Sequence, residues 1–426
     1  MSRALLLLVT LTLTLTAWAS LARAQPLRER GDVPRPSREH AERVLELLGP
    51  EHLLREAWRV TRRHHYDPDR AGVDWDALLA RHLPRVAGAE RPQQVYAAVN
   101  RMLGELDTSH LTLFAGGVWS RELAQEFTGR ATPRLGCELV DIGGRLFVDG
   151  LVEGGAAEQA GLLEGDEVVA LDGARPLASG LLEEAGHDPA LGGPAGYSVQ
   201  VGGGPLVLTV RRRAAGPARD VQVTPIPTSL IGASRRSARL ASVATATGSV
   251  TVGVVHLWHF IRAEIAADLE RALRGPLAAA DALVLDVRGR GGTAAVVQAV
   301  LDLFRGERPV WTKPVVCLTD RGTRSAKEIF AWHWKRLELG PIVGERTAGA
   351  CVGCAFHQLS DGSVLALPVQ DVRRLTRGVD LEGVGVAPTD PVADAPLPYR
   401  AGADPILAAG LERAAALCGA RAAAPF

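Results

Sequence analysis

The chain of 426 residues is very poor in lysine: Lys313, Lys327 and Lys335 are the only ones, and every other basic side chain is arginine. A mechanism that needs a catalytic lysine therefore has no other candidates. The chain also lacks an excess of charge, because 48 Lys and Arg residues balance 48 Asp and Glu residues. This balance argues against nucleic acid or an anionic membrane surface as a partner, since either would require a basic patch.

No hydrophobic run is long enough to span a bilayer, which takes about 20 apolar residues. The run at 4–18 follows Arg3, is diluted by threonines, and is followed by the small-x-small sequence ARA. This order is typical of a cleaved secretory signal. The sequence therefore predicts a signal peptide at 1–24 and a flexible leader at 25–37. We expect an exported protein, periplasmic or secreted, without stable membrane insertion.

Five cysteines are too few for a disulfide framework in a chain of this length. Cys137, Cys317 and Cys418 have apolar neighbours and are predicted to be small core side chains. Cys351 and Cys354 form the one close pair, for which packed thiols, a local disulfide and a metal or redox site are the alternatives. Packed thiols are favoured, because no second Cys-x-x-Cys and no suitably spaced histidine pair accompanies them. No metal or cofactor is predicted.

The hydrophobic pattern changes twice along the chain and predicts three domains. Residues 38–118 have helical periodicity. Residues 130–213 contain short strands separated by glycines. Residues 245–400 alternate apolar strands with amphipathic helices, an order that implies parallel pairing through crossover helices. A last amphipathic helix lies in the C-terminal segment, 401–426.

Two segments of the third domain contain candidate catalytic groups. The sequence TDRGTRSAKE places Ser325 at the start of a helix, where it can be held rigidly and where helix amides can face an oxyanion. Ser325 and Glu328 also form a capping-box pattern, so this segment by itself favours an N-cap. Gly291 and Gly292 follow an apolar strand, and they either expose amides to a negative charge or form a tight turn.

Two further candidates are a histidine and a carboxylate. His110 ends the helical segment, but it is one of 11 histidines. His256 and His259, which share one strand, are alternative bases. Glu382 precedes a Gly-Val turn, where a solvated loop carboxylate is the simpler interpretation.

The order and combination of these motifs resemble the C-terminal-processing, or tail-specific, serine peptidases. The resemblance extends from the helical segment to about residue 395, through the motifs LDTSH, LVLDVRGRGG, Ser-x-x-Glu, IVGERTAGA and LEGVGVAP. It implies a multidomain α+β fold with an N-terminal helical domain, a PDZ domain and a crotonase-like α/β (βαβ) catalytic domain. It also implies that Ser325 is the nucleophile.

The segment at 130–213 itself resembles a PDZ domain of the bacterial type, with an unrelated small β-domain as the alternative. In such domains an extended peptide adds a strand beside the segment that here reads RLGCEL, and backbone amides capture its C-terminal carboxylate. The resemblance therefore implies that tails of protein or peptide substrates bind at Leu135, Gly136, Cys137 and Glu138.

One departure from the family pattern decides the predicted mechanism. The bacterial tail-specific branch has a general-base lysine in a turn that here reads TAGA, so that Ala350 stands at the lysine position. The tricorn-core branch uses a serine–histidine pair, with the histidine in Thr-Ser-His and a glutamate before a Gly-Val turn. Ser109, His110 and Glu382 stand at the matching places. The resemblance therefore implies His110 as general base, oriented and polarised by Ser109 and Glu382.

The predicted activity is endopeptidase hydrolysis through an acyl-enzyme on Ser325, without a metal or organic cofactor. Backbone amides of Gly291 or Gly292 and of Ala326 would stabilise the oxyanion. One alternative is a binding protein for peptides or small apolar ligands on an inactive peptidase fold, which would have no need of the complete catalytic set. A thiol-dependent enzyme that uses the Cys-Val-Gly-Cys pair is another. The sequence does not specify the oligomeric state.

Overall fold

The computed structural model describes residues 38–67, 73–119, 123–184, 196–246 and 248–423. The predicted signal peptide and leader lie outside these residues. Among the residues that are described, no helix combines the length and the apolar character needed to cross a membrane.

The helices in this part of the chain are α1 (Arg38–Leu48), α2 (Pro50–His64), α3 (Trp75–Val86), α4 (Pro92–Leu103), α5 (Gly116–Val118), α6 (Ala124–Thr128), α7 (Ala156–Gln159), α8 (Leu230–Ser237), α9 (Glu264–Arg274), α10 (Ala294–Arg305), α11 (Ala326–Arg336) and α12 (Pro405–Ala423). The strands are β1 (Thr112–Phe114), β2 (Thr132–Arg134), β3 (Glu138–Ile142), β4 (Arg145–Asp149), β5 (Glu167–Leu171), β6 (Leu182–Glu184), β7 (Gly196–Val199), β8 (Leu206–Arg211), β9 (Ala218–Val223), β10 (Ile226–Thr228), β11 (Arg239–Thr245), β12 (Gly248–His256), β13 (Ala282–Asp286), β14 (Val315–Thr319), β15 (Ile342–Gly344), β16 (Gly353–Gln358), β17 (Val364–Gln370) and β18 (Asp390–Pro391).

The helices α1–α4 do not complete their hydrophobic core alone. A three-stranded antiparallel sheet in the order β1-β17-β16 supplies part of it. Leu359, Leu365 and Leu367 are buried in the same cluster as the apolar faces of these helices. The predicted helical domain at 38–118 therefore requires residues from far along the chain, which the prediction had assigned to the catalytic domain.

The segment predicted as a PDZ domain forms a seven-stranded antiparallel sheet in the order β6-β7-β3-β4-β5-β8-β9. The sheet continues to Val223, beyond the predicted boundary at residue 213. Strand β3 has a neighbour on each side, because β4 pairs along its whole length and β7 pairs at Leu139 and Val140. A peptide can therefore add to β3 at these two residues only if β7 moves.

The third sheet has six strands in the order β11-β12-β13-β14-β15-β18. Strands β12, β13, β14, β15 and β18 run parallel, and β11 is an antiparallel edge strand that begins before the predicted boundary at residue 245. One face of the sheet packs against α9, α10 and α11, and the other packs against α12. This is the parallel α/β arrangement that the alternating pattern predicts. It brings the loops after β12, β13 and β14 to one edge of the sheet.

Candidate active site

Ser325 lies at the carboxyl edge of the six-stranded sheet, where a short loop leads from β14 into α11. It is the N-cap of α11 and its capping box with Glu328 is formed, as the sequence predicts. Its backbone has φ 58° and ψ −127°, a conformation that residues other than glycine rarely adopt. The Ser325 N–H donates to the Ala350 carbonyl at 2.8 Å and to Glu328 Oε2 at 3.2 Å. Strained backbone of this kind is concentrated at functional sites, so it adds to the capping pattern an independent sign of function.

Glu328 fixes the turn that faces Ser325. Its buried carboxylate accepts hydrogen bonds from the Thr347 hydroxyl at 2.6 Å, the Gly349 N–H at 2.7 Å and the Ala350 N–H at 2.8 Å. Burial raises the pKa of Glu328 to about 7 against the opposing effect of these donors. The Ala350 side chain is fully buried. The turn that carries a lysine in the related branch is therefore a closed backbone structure here.

A chain of hydrogen bonds runs from Glu382 through Ser109 to His110. The Ser109 hydroxyl donates to Glu382 Oε2 at 3.1 Å and lies 2.8 Å from His110 Nδ1, and the Ser109 N–H donates to Glu382 Oε1 at 2.8 Å. A hydroxyl has a single hydrogen, which here goes to Glu382. His110 Nδ1 must therefore carry the proton that Ser109 accepts, and Nε2 keeps its lone pair. This is the tautomer that a general base needs.

The serine and the histidine parts of the site meet at two consecutive residues. The Ala350 carbonyl accepts the Ser325 N–H, and the Cys351 N–H donates to Glu382 Oε2 at 2.7 Å. Desolvation and the charge of Arg324, the residue before Ser325, lower the pKa of His110 to about 3. His110 is therefore neutral at pH 7, as a general base must be.

The alternative histidines have acidic partners of their own. His256 Nδ1 lies 3.2 Å from Glu153 Oε1. His259 is buried with Glu126, at 3.2 Å between Nε2 and Oε2, and its Nδ1 accepts the Ile261 N–H at 3.2 Å. The hydrogen bonds of both imidazoles thus lead away from Ser325.

The three lysines also bind groups other than Ser325. Their Nζ atoms donate to backbone carbonyls: Lys327 to those of Trp258, Arg288 and Gly289, Lys313 to those of Ala278 and Ala280, and Lys335 to that of Ala387. His110, by contrast, is linked to Ser325 through the hydrogen bonds of Ser109, Glu382, Cys351 and Ala350.

Gly291 lies directly against Ser325. A Cβ atom at Gly291 would be 2.9 Å from Ser325 Cβ, and one at Gly292 would be 2.3 Å from the Phe260 carbonyl carbon. The Phe260 N–H donates to the Gly291 carbonyl at 2.9 Å. Because the C=O and N–H of one peptide unit point in opposite directions, this bond turns the Gly292 N–H away from Phe260. Within the described ranges, no acceptor takes the N–H of Gly291, Gly292 or Ala326.

The residues predicted to bind substrate tails border this loop. Glu138 forms an ion pair with Arg290, which precedes the two glycines. The carbonyls of Leu135 and Gly136 accept backbone N–H groups of the same seven-stranded unit at 2.7 and 2.9 Å. Burial raises the pKa of the Cys137 thiol to about 12. The segment is thus in direct electrostatic contact with the loop after β13.

All five cysteines are free thiols. Cys351 is buried and Cys354 is half-buried, and no disulfide joins them. Burial raises the pKa of the Cys351 thiol, which disfavours thiolate chemistry. Of the three cysteines predicted to lie in the core, Cys317 is buried, whereas Cys137 and Cys418 are only half-buried.

Comparison with known protein families finds two matches along the chain. Residues 251–392 match the model of peptidase family S41, and residues 50–104 match that of the tricorn protease C1 domain. The S41 match covers 142 of the 426 residues. The family comprises serine-type peptidases, in agreement with the resemblance read from the motifs.

Two curated relatives represent the two branches of the resemblance. The putative tricorn protease homolog 2 of Streptomyces coelicolor is 28% identical over 421 residues, which cover 90% of this chain and 34% of that protein. The chloroplastic C-terminal processing peptidase of Tetradesmus obliquus is 28% identical over 358 residues, 79% of this chain and 76% of that protein. The chain thus spans about a third of the length of the first relative. A solved structure, the photosystem II D1 C-terminal processing protease, is similar with a TM-score of 0.49 and 22% identity, covering 84% of this chain and 98% of that chain.

Two residues of the site were not anticipated from the sequence. Arg324 acts on His110 through its charge, and Phe260 holds the Gly291 carbonyl through its N–H. Arg324 directly precedes the predicted nucleophile, so its position was a usable signal. No local sequence pattern marks Phe260, because its role is a hydrogen bond to Gly291, which follows the neighbouring strand β13.

Proposed function

We propose that this chain is an exported serine endopeptidase of the C-terminal-processing type, which hydrolyses peptide bonds through an acyl-enzyme on Ser325. The observation that carries the proposal is the hydrogen-bond chain from Glu382 through Ser109 to His110 Nδ1, joined through residues 350 and 351 to a strained serine at a helix N-terminus. A protein that only binds ligands has no need of this arrangement. Export is proposed on the signal sequence at 1–24.

His110 acts as general base and then as general acid. Its Nε2 accepts the proton of the Ser325 hydroxyl while Oγ bonds to the carbonyl carbon of the substrate, and Ser109 and Glu382 stabilise the imidazolium that forms. The tetrahedral intermediate breaks its C–N bond as His110 gives the proton to the leaving amine. A water molecule, deprotonated by His110, then hydrolyses the ester and restores the Ser325 hydroxyl.

Backbone amides of Gly291 or Gly292 and of Ala326 stabilise the negative charge on the substrate oxygen. Two observations support this role: within the described ranges these amides have no acceptor, and Gly291 packs against Ser325 where any side chain would collide. Loss of one such donor costs about 10²–10³ in kcat in a well-studied serine peptidase.

The unit that contains 130–213 and continues to Val223 is proposed to be a PDZ domain that captures the C-terminal tails of protein substrates. The segment Leu135–Glu138 precedes the residues at which β7 pairs with β3, and Glu138 is paired with Arg290 in the loop after β13. A tail that binds here and extends along β3 would have to displace β7.

Fluorophosphonate labelling of the mature protein, followed by peptide mass spectrometry, tests the proposed chemistry. We expect the label on Ser325, its loss in Ser325→Ala, and a strong decrease in His110→Ala. His333→Ala is the matched control, because this imidazole also has a close hydrogen-bond partner, the Leu375 carbonyl at 2.8 Å, but lies in the last turn of α11. Folded wild-type protein that stays unlabelled in the presence of an apolar-tailed peptide would overturn the proposal and favour a binding protein.

A further inference from the structure

Lys327 is a fully buried lysine whose ammonium group binds only backbone. Its side chain has 0% exposure, and in the part of the chain that the structure describes it forms no ion pair with a carboxylate. The Nζ atom donates to the carbonyls of Trp258 and Arg288 at 3.0 Å each and of Gly289 at 3.1 Å. Burial of an ammonium group is unfavourable unless polar partners compensate its charge. Three converging carbonyls therefore indicate a specific structural task.

Two of these carbonyls belong to the loop that leads to Gly291 and Gly292. Gly289 and Arg290 have φ values of 61° and 34°, so that two successive residues are left-handed. This conformation costs about 1–2 kcal/mol at a residue with a side chain, and it persists only where the surroundings impose it. In the peptide between Arg288 and Gly289, Lys327 binds the carbonyl at 3.0 Å and Asp320 Oδ1 accepts the N–H at 2.8 Å.

The third carbonyl that Lys327 binds, that of Trp258, lies in the loop after β12. Trp258 lies two residues before Phe260, whose N–H binds the Gly291 carbonyl at 2.9 Å and whose carbonyl accepts the Thr293 N–H at 2.8 Å. One ammonium group therefore joins the loops at the carboxyl ends of β12 and β13. Lys327 also directly follows Ala326, which carries the remaining candidate amide. All the proposed oxyanion donors are linked to this one side chain.

We propose that Lys327 is a positioning residue for the oxyanion hole, which holds residues 288–292 in the conformation that presents the Gly291 and Gly292 amides to Ser325. It touches neither the substrate nor the reacting atoms. The inference rests on the proposed function, since an oxyanion hole matters only if Ser325 is acylated. A neutral side chain of similar length leaves the three carbonyls without a common donor, and the strained peptides are then free to rotate.

The variant Lys327→Met tests the role, with Lys313→Met as a matched control. Lys313 Nζ also donates to two carbonyls, at 2.9 and 2.7 Å, and lies 5.2 Å from the Trp311 ring, much as Lys327 lies 5.8 Å from the Phe260 ring. On a fluorogenic peptide we expect Lys327→Met to lower kcat by about 10²–10³, the effect of a lost oxyanion donor. KM should stay within about threefold, because the ground-state carbonyl gains little from these donors. Lys313→Met should keep kcat within about twofold, because the carbonyls that Lys313 binds are not those that Lys327 binds, and sites without shared partners act independently.

A second readout separates positioning from general loss of structure. Affinity for a peptide aldehyde, which forms a tetrahedral adduct with Ser325, should fall in Lys327→Met, whereas affinity for the corresponding peptide amide should not. A folded Lys327→Met with wild-type kcat, or with equal losses for aldehyde and amide, would overturn the inference. If this variant does not fold, Lys327→Gln replaces it. A loss of kcat with nearly unchanged KM in Lys327→Gln would then support the inference, and a wild-type kcat would overturn it. A wild-type protein without label or activity would overturn the proposed function as well, whereas an active wild type with an unaffected variant overturns the inference alone.

Discussion

Removal of the Ser109 hydroxyl is expected to abolish most of the turnover of this protein while the fold persists. The hydroxyl bridges His110 Nδ1, at 2.8 Å, and Glu382 Oε2, at 3.1 Å. In Ser109→Ala the Glu382 carboxylate keeps two donors, the N–H of residue 109 and that of Cys351. The proton of His110 is then no longer confined to Nδ1, so part of the population has Nε2 protonated and cannot accept the serine proton.

The size of the effect follows from what remains after the substitution. Loss of the correct tautomer in a Ser-His-Asp triad costs about 10⁴ in kcat. Here the negative charge of Glu382 remains in place and only the connection is lost, so we expect a decrease of about 10²–10³. At about 1.36 kcal/mol per factor of ten, this is about 2.7–4 kcal/mol of transition-state stabilisation. Stability should fall by only about 1 kcal/mol, the usual worth of one hydrogen bond.

The assay compares kcat on a fluorogenic peptide with urea-induced unfolding for two neighbouring hydroxyl deletions. Thr108→Val removes a hydroxyl that donates to the Leu106 carbonyl at 3.0 Å and is not connected to His110. It should lose a similar amount of stability but keep kcat within about twofold, in line with the independence of sites that share no partner. A Ser109→Ala protein that keeps kcat within about threefold of wild type would refute the relay, because His110 would then be oriented by other means.

Three further predictions concern charge at and around the site. In Arg324→Gln the pKa of His110 should rise because a cation is removed, so the acid limb of the kcat/KM profile should move to higher pH; an unmoved limb would show that Arg324 has no influence. Ala350→Lys should lower the melting temperature and give no gain in kcat, since the position is fully buried; a several-fold gain would contradict His110 as the base. Burial raises the pKa of Asp286, but the charge of Arg288 outweighs this effect and lowers the pKa below its ordinary value. The pair therefore contributes stability above about pH 4 that is lost as the pH falls. In denaturant unfolding from pH 6 to 3, the free energy of unfolding should fall less in Asp286→Asn than in the wild type.

The local features of the site could be predicted from the sequence because they depend on consecutive residues. The strand–loop–helix around Ser325, its capping box with Glu328 and the helix that follows are formed as predicted. The alternation of apolar strands and amphipathic helices also predicts the parallel pairing of β12 to β15. The boundary of the seven-stranded unit was less predictable, since β9 carries only two buried residues, Val221 and Val223.

Only the tertiary structure decided how these features combine. Ser109 and Glu382 are separated by 273 positions, and no local pattern specifies that their loops meet at Cys351. The alternation of apolar and polar residues defines the faces of a strand but not its neighbours, so the pairing of β7 with β3 and the contribution of β16 and β17 to the helical core were not foreseeable. The direction of the Lys327 side chain likewise depends on tertiary packing and was not foreseeable from the sequence. The sequence by itself determined which groups are available for catalysis, and the packing of the sheets and helices determined which of them touch.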